Sequence, residues 1–264
     1  KTSLIISTYN SPKQLNLVLS EIWKGTMLPD DIVVSDDGSG VETKKVVSYW
    51  RNKLPIYHEW HEDNGFRKNK ILNRSIQKCT GNYIIFLDGD CIPHNKFIQD
   101  HKKYSESGFF IQGRRAFIKE KYVPNVLENY RNVFYYITTF KMTGVFKALR
   151  LPKPIIRANQ EQRGLIGCNL SIWKDDLIRI NGFDESYNGW GVGEDSDLCT
   201  RLYNLGLFRK FIYGRAIVLH LNHPEQDKKH HHKSLQKLEK VLRDNSTWCQ
   251  KGISHHDNNV HLKP

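Results

Sequence analysis

The feature that most constrains this chain is the alternation, over residues 1–90, of short apolar runs with amphipathic segments. Leu4-Ile-Ile-Ser7 carries no polar alternation, the signature of a strand buried on both faces. Ser11 and Pro12 follow as an N-cap and a first-turn proline. Leu15, Val18, Leu19 and Ile22 then recur at i, i+3, i+4 and i+7, so the spacing predicts a helix to about residue 24, ending at Gly25. Ile32-Val-Val-Ser35 reads as a second strand, residues 41–54 as a second helix and residues 56–60 as a short strand. A helix over 68–78 stops at Thr80-Gly81, and Tyr83-Ile-Ile-Phe-Leu87 is the next buried strand. Strands alternating with helices imply an α/β fold with a mainly parallel sheet covered on both faces. Ligands of such sheets gather at the carboxyl ends of the strands. Here those ends are polar: Thr8-Tyr9-Asn10, Asp36-Asp37-Gly38 and Asp88-Gly89-Asp90.

Residues 109–164 are less regular, with Pro152 and Pro154 marking a connection. Periodic order returns with a strand over 165–173, a helix over 175–180 and a turn at Gly182-Phe183-Asp184-Glu185. Asn188-Gly-Trp-Gly-Val-Gly-Glu-Asp195 leads into a helix carrying Leu198, Leu202 and Leu205, with Gly206 as its stop. A last strand over 216–219 runs into His220-Leu-Asn-His223-Pro. Residues 1–224 read as one domain, with halves at 1–100 and 101–224. Residues 225–264 read as a basic, His-rich helical extension, its helix over 229–243 placing Leu235, Leu238 and Leu242 on one side.

Composition narrows the class. Apolar residues at 39% and charged residues at 26% exclude a disordered or membrane-embedded chain. No run of about 18 apolar residues is present, so no segment is expected to span a bilayer, and no basic-then-apolar leader is visible. Five cysteines without a C-x-x-C pair are expected to be buried thiols of a reducing compartment. The sequons at Asn73 and Asn169 fall in segments that look structural, so a cytoplasmic location is expected. With 40 Lys+Arg against 28 Asp+Glu the formal charge is +12. It is uneven: residues 101–163 hold 13 Lys/Arg against 4 Asp/Glu amid many Phe and Tyr. Such a stretch suits nucleic acid, a lipid headgroup surface or an anionic sugar polymer, and an ordinary solvated face has the same composition. His230–His232 are expected to be solvated helix surface rather than a metal site.

Four motifs can carry chemistry. In extended backbone, residues i and i+2 point the same way, so Asp88 and Asp90 can face one site. Two hard oxygen donors there suit Mg²⁺ or Mn²⁺ holding a diphosphate. Asp36-Asp37-Gly-Ser is a common turn, and one of its carboxylates can also accept from a base N–H or a ribose hydroxyl. Glu194 and Asp195 open a helix, where the dipole favours anions. The glycines around them permit close backbone approach, and Trp190 offers a flat platform for a sugar ring. His220 stands at a strand end, where a capped core-edge role is ordinary; if it reaches the Asp88/Asp90 metal, its imidazole completes the coordination, with His223 as its rival.

Ile6-Ser-Thr-Tyr-Asn10, Val34-Ser-Asp-Asp-Gly-Ser39, Phe86-Leu-Asp-Gly-Asp-Cys91 and Gly189-Trp-Gly-Val-Gly-Glu-Asp195, in this order, resemble the family 2 glycosyltransferases of the GT-A fold. The match is closest to the branch that includes bacterial chondroitin-polymerase modules and shares a carboxy-terminal motif with the β-1,4-galactosyltransferases. It covers roughly residues 3–224, with one residue more between Trp190 and Glu194 than in the galactosyltransferase motif. The resemblance implies a Rossmann-like mixed sheet, a UDP-sugar donor, Mn²⁺ or Mg²⁺, and inversion at the anomeric carbon. It puts the nucleotide in the 1–100 half and the acceptor against the 101–224 half. Thr8 and Tyr9 would line the nucleotide pocket, Asp37 would hydrogen-bond the uracil, and Arg67 would contact the base or phosphates. Asp88, with Gly89, would sit by the ribose and donor sugar, near the metal that Asp90 and His220 ligate. Gln112 and Arg114 would frame the donor sugar. Glu194 would hold hydroxyls, Trp190 and Gly191 would meet the acceptor, and Asp195 would be the catalytic base. The resemblance further implies a glycan or glycolipid acceptor and a part in bacterial lipopolysaccharide or capsule synthesis, while the basic stretch over 101–163 is expected to present the protein to an anionic glycolipid or to the inner face of the cell membrane. No nucleic acid partner is expected. Two alternatives stay open: a nucleotidyltransferase, and a non-catalytic polyanion-binding module.

Overall fold

The computed structural model describes residues 1–162, 165–187, 189, 193–224 and 231–256. Its first half runs β1 (Thr2–Thr8), α1 (Pro12–Trp23), β2 (Asp31–Asp36), α2 (Val41–Arg51), β3 (Ile56–Trp60), α3 (Lys68–Lys78), β4 (Tyr83–Asp88), β5 (Cys91–Pro93) and α4 (Phe97–Tyr104). After these come β6 (Phe109–Gln112), β7 (Arg114–Ile118), α5 (Val123–Glu128), α6 (Val133–Thr138), β8 (Met142–Thr143), α7 (Val145–Ala148) and β9 (Ile155–Asn159). The remainder is β10 (Asn169–Trp173), α8 (Lys174–Arg179), α9 (Glu194–Asn204), β11 (Phe208–Tyr213), β12 (Ile217–Leu221) and α10 (His231–Arg243).

Eight strands form one sheet in the order β3-β2-β1-β4-β10-β6-β11-β9, and four form a second in the order β5-β12-β7-β8. From β3 to β4 the large sheet is parallel, with β1 between β2 and β4. β10 then enters antiparallel to both β4 and β6. The sheet is therefore mixed: parallel where the sequence alternates, and beyond it antiparallel at β10 and β9 but parallel again between β6 and β11. The uninterrupted apolar runs follow from double coverage. Leu4, Ile6, Ile32, Val34, Ile85 and Leu87 pack on one face with Leu15, Val18, Leu19 and Trp50. Ile5, Val33, Ile84 and Phe86 pack on the other with Ile76, Leu177, Leu198 and Leu202. Each such side chain, once fully buried, contributes roughly 1.5–3 kcal/mol.

Several local expectations are corrected. Ser11 makes no side-chain cap; its hydroxyl donates to the Tyr9 carbonyl at 3.0 Å instead. α2 closes at Arg51, because the Lys53 and Leu54 amides both fold back on the Trp50 carbonyl and tuck Leu54 into the core. The run at 165–173 pairs only from Asn169 onward; its first part leaves the sheet to line the cleft. β11 did not read as a strand because it buries two cations, Arg209 and Lys210. On α10 the expected leucine seam is not the packed one: Leu235 and Leu242 stay 41% and 42% exposed, while Ser234 is buried. Beyond α10 the chain returns to the main body. Ile253 joins the second core face, and the Asn181 amide donates to the Cys249 carbonyl at 2.7 Å and accepts from the Ser254 N–H at 2.8 Å. All five cysteines are free and buried, as expected. Asn73 and Asn169 are wholly buried, which fits structural rather than glycosylated positions.

Candidate active site

The strand order reverses at β1 and β4: the chain reaches the β3 edge and then returns to the far side of β1. At this switch point the carboxyl ends of neighbouring strands diverge and leave a crevice. A cleft of about 800 Å³ opens there. It is lined by Ser7, Thr8 and Tyr9 at the end of β1, Asp37 after β2, and Asp88, Gly89 and Asp90 at the end of β4. Leu165–Cys168, Glu194, Asp195, His220 and His223 close its other side. Gly89 is needed where β1 and β4 part. Its N–H donates to the Ser7 carbonyl at 2.7 Å, and a Cβ would lie 2.9 Å from the same oxygen.

The three acidic tips have different local roles. Asp36 is consumed by the turn: it accepts from the Ser39 N–H at 2.8 Å and meets His58 Nε2 at 2.9 Å. Asp37 faces the cleft, held by His61 Nε2 at 2.7 Å and by the Arg67 backbone N–H at 2.9 Å. The Arg67 side chain turns to the Glu62 carbonyl and does not line the cleft. Its neighbour Lys68 does. Lys68 Nζ donates to Asp88 Oδ1 at 2.8 Å, and the Ser7 hydroxyl donates to that same oxygen at 2.5 Å. Burial opposes the charge on Asp88, but Lys68 and these hydrogen bonds hold its carboxyl below the usual range. Burial likewise opposes the charge on Lys68, yet Asp88, Asp195 and Glu194 together keep the ammonium protonated.

Asp90 meets two imidazoles rather than one. Its Oδ2 lies 3.4 Å from His220 Nε2 and 3.3 Å from His223 Nε2. β12 carries His220, paired with Cys91 of β5, and the chain leaving β12 brings His223. Burial pushes the His220 imidazole down, whereas the hydrogen bond to Asp90 holds His223 up at about 9. Asp90 Oδ1 and His220 Nδ1 are buried without partners among the described residues. An acceptor oxygen with nothing to accept from, beside imidazole nitrogens, is a donor set suited to a divalent cation. Cys91 Sγ also lies close to Asp90 and His220. Burial pushes that thiol well above its ordinary range, so it stays protonated and is a poor ligand for a hard cation.

On the opposite wall, Gly193 takes φ +96° and starts α9, which carries Glu194 and Asp195 into the cleft. Asp195 Oδ2 accepts from the Gly167 N–H at 2.7 Å. A Cβ at Gly167 would fall 2.0 Å from the other carboxylate oxygen, so only glycine fits there. Burial, with the Asp88 charge added to it, pushes the Asp195 carboxyl up against the pull of Lys68 and the Gly167 amide. Asp197, the third acid of this turn, faces inward instead and pairs with buried Arg201 at 2.6 Å.

Gln112 and Arg114 lie near the cleft without lining it. Gln112 Oε1 accepts from the Ile166 N–H at 3.4 Å, and the Arg114 guanidinium stacks 4.4 Å over Tyr213. Arg115, one residue on and therefore on the other side of β7, lines the cleft. Trp190 and Gly191 lie outside the described residues. Lys68, Arg115 and Gly167 were not singled out in the sequence. A lysine opening a helix looks solvated, and two adjacent arginines conceal which one faces inward. His223 did carry a signal, its three-residue spacing from His220.

The family model for glycosyl transferase family 2 matches residues 3–156, more than half of the chain. The chain belongs to glycosyltransferase family 2. A second model, described as the N-terminal domain of galactosyltransferase, matches residues 154–224. Among curated relatives, the hyaluronan synthase of Pasteurella multocida is 24% identical over 230 residues, covering 80% of this chain and 24% of that protein. The chondroitin synthase of Escherichia coli is 26% identical over 252 residues, covering 85% of this chain and 35% of that protein. This family 2 chain thus spans about a quarter to a third of those relatives. A solved structure of GalNAc-T7 with UDP, GalNAc and Mn²⁺ superposes with a TM-score of 0.66 at 17% identity, covering 91% of this chain and 48% of that one. The fold is the GT-A glycosyltransferase fold.

Proposed function

We propose that the cleft transfers a sugar from a UDP-sugar to a hydroxyl of a glycan or glycolipid acceptor, with inversion at the anomeric carbon. One observation carries this reading. Asp90 with His220 and His223, the Lys68–Asp88 pair, and Asp195 stand in succession around a single cleft. In order they suit a diphosphate, a donor sugar and an attacking hydroxyl.

Thr8, Tyr9 and Asp37 face the end of the cleft where the nucleoside is proposed to sit. Asp90 and His220 would hold Mn²⁺ or Mg²⁺, with His223 beside them on Asp90, and with Asp88 close by but committed through one oxygen to Ser7 and Lys68. A divalent cation bound there supplies positive charge against the charge that builds on the leaving diphosphate. Arg115 and Lys68 add fixed positive charge from the protein itself. Asp195 takes the proton of the acceptor hydroxyl as that oxygen bonds to the anomeric carbon, while the carbon–oxygen bond to the diphosphate breaks and UDP leaves. A carboxylate raised by burial and steadied by the Gly167 N–H is suited to that proton. Glu194 beside it is placed to hold sugar hydroxyls. The bacterial relatives named for hyaluronan and chondroitin synthesis support a role in bacterial lipopolysaccharide or capsule synthesis.

UDP release from a panel of UDP-sugars, with Mn²⁺ and then with chelator, tests the reading. One or more donors should turn over with Mn²⁺ and stop with chelator. Release of pyrophosphate instead of UDP, or no donor turned over in the presence of candidate glycan acceptors, would contradict it.

A further inference from the structure

Phe134, Phe140 and Phe146 are 66%, 79% and 91% exposed, although the chain buries most of its other large apolar side chains. The second sheet sets their position. Beyond β7, the Lys119 N–H donates to the Lys141 carbonyl at 2.9 Å, so residues 119–141 leave the sheet and return at one neck before β8. α5 and α6 lie in this lobe, anchored by Val126 and Tyr136 against Ile118, Met142, Leu219 and Leu221. With Tyr136 turned inward, α6 leaves Phe134 outside. Phe140, at φ +54°, ends the turn that follows. α7 buries Ala148 and leaves Phe146 and Lys147 outside.

The charge around these rings has one sign. From residue 119 to 147 the lobe and α7 carry Lys119, Lys121, Arg131, Lys141 and Lys147 against Glu120 and Glu128. Among the described residues, none of the five cations makes a salt bridge within 4.0 Å. Lys121 and Lys141 instead lie over the Tyr122 ring at 5.0 and 5.4 Å, and Lys141 over Tyr135 at 4.5 Å. Bare aromatic rings flanked by cations that have no carboxylate partner, Lys141 Nζ donating instead to the Tyr135 hydroxyl at 2.6 Å, match a boundary that is apolar within and anionic at its rim. Aromatic side chains settle at that depth in a bilayer, and cations beside them meet the lipid phosphates.

We propose that residues 119–147 form a peripheral membrane contact, in which Phe134, Phe140 and Phe146 enter an anionic phospholipid bilayer at the headgroup boundary. This surface goes beyond the transferase reading and does not depend on it. The orientation it sets does rest on that reading. Ile118 pairs with Leu221, and the Asn222 N–H donates to the Ile118 carbonyl at 3.2 Å. The lobe therefore departs beside the segment that brings His220 and His223 to the cleft. A bilayer held there would present a lipid-borne acceptor near the cleft mouth.

Co-sedimentation of the whole chain with phosphatidylcholine vesicles, with and without phosphatidylglycerol, tests the contact. Binding should require phosphatidylglycerol and weaken as salt is raised. The triple variant Phe134→Ala, Phe140→Ala, Phe146→Ala should lose about tenfold or more in partitioning while keeping its melting temperature and its UDP release. Lys141→Glu with Lys147→Glu should lower binding most at low salt. Failure to bind phosphatidylglycerol vesicles would overturn the proposal, as would binding untouched by the triple variant. So would self-association of the wild type that the triple variant abolishes, which would assign the patch to a second copy of the chain.

Discussion

Lys68 places one ammonium among Asp88, Asp195 and Glu194, and its hydrogen bond leaves Asp88 only one oxygen free of protein partners. Lys68→Met should therefore lower kcat/KM for the donor by about 10–100-fold, the range for a lost hydrogen bond between charged groups. Lys68→Arg should recover part of the loss. Steady-state UDP release decides it: a Met variant within about twofold of wild type would show that Asp88 needs no such support. Residues at this scale were legible where chemistry coincides with an element boundary. Asp88, Asp90, Asp195 and His220 all stand at strand or helix ends, and all line the cleft. Arg67 and Arg114 missed the lining by one residue each, because the position just beyond decides which side chain turns inward and spacing alone does not resolve that parity.

Two elements place the cleft walls, and each makes a measurable claim. α4 docks on β10 through His101, whose ring nitrogens meet the Ser171 hydroxyl at 2.7 Å and Asn169 Oδ1 at 2.9 Å. Burial pushes that imidazole down to about 4. The unfolded chain, with an ordinary His near 6.5, takes up the proton first as pH falls. The fold should therefore lose about 3 kcal/mol through this one group between about pH 6.5 and 4, and nothing above that window. Urea unfolding across pH checks it: His101→Gln should show a flatter profile than wild type, and parallel profiles would contradict the assignment. α9 is tied down by the buried Asp197–Arg201 pair, with Arg201 also donating to the Ile180 and Gly182 carbonyls at 2.7 Å each. Arg201→Met should cost about 3–5 kcal/mol of stability, because it strands a buried carboxylate. A cost below about 1 kcal/mol would mean that the pair does not hold the helix. Elements were legible where the apolar pattern was pure, as in α1 and β1. They were obscured where function or burial broke the pattern, as in β11 with its inward cations and in the stretch before β10 that gives up pairing to line the cleft.

Across the whole molecule, the parallel half-sheet supplies Thr8, Asp37, Asp88 and Asp90, while β12 with the chain leaving it, and α9, much later in the sequence, supply His220, His223, Glu194 and Asp195. Their meeting at the β1/β4 switch point was legible in the order of motifs and in the family resemblance. The rest of the second sheet around β12, and its exposed lobe, were not, because short strands such as β8 carry too few residues to show a period. Sugar transfer in this cleft rests on metal-side and base-side groups acting on one bound donor. The direct test measures UDP release and UDP affinity side by side for wild type and Asp195→Asn. Turnover should fall at least about 100-fold, as expected for loss of a general base, with UDP affinity changed by less than about threefold. Near-normal turnover in that variant would contradict the assignment of Asp195 as the base.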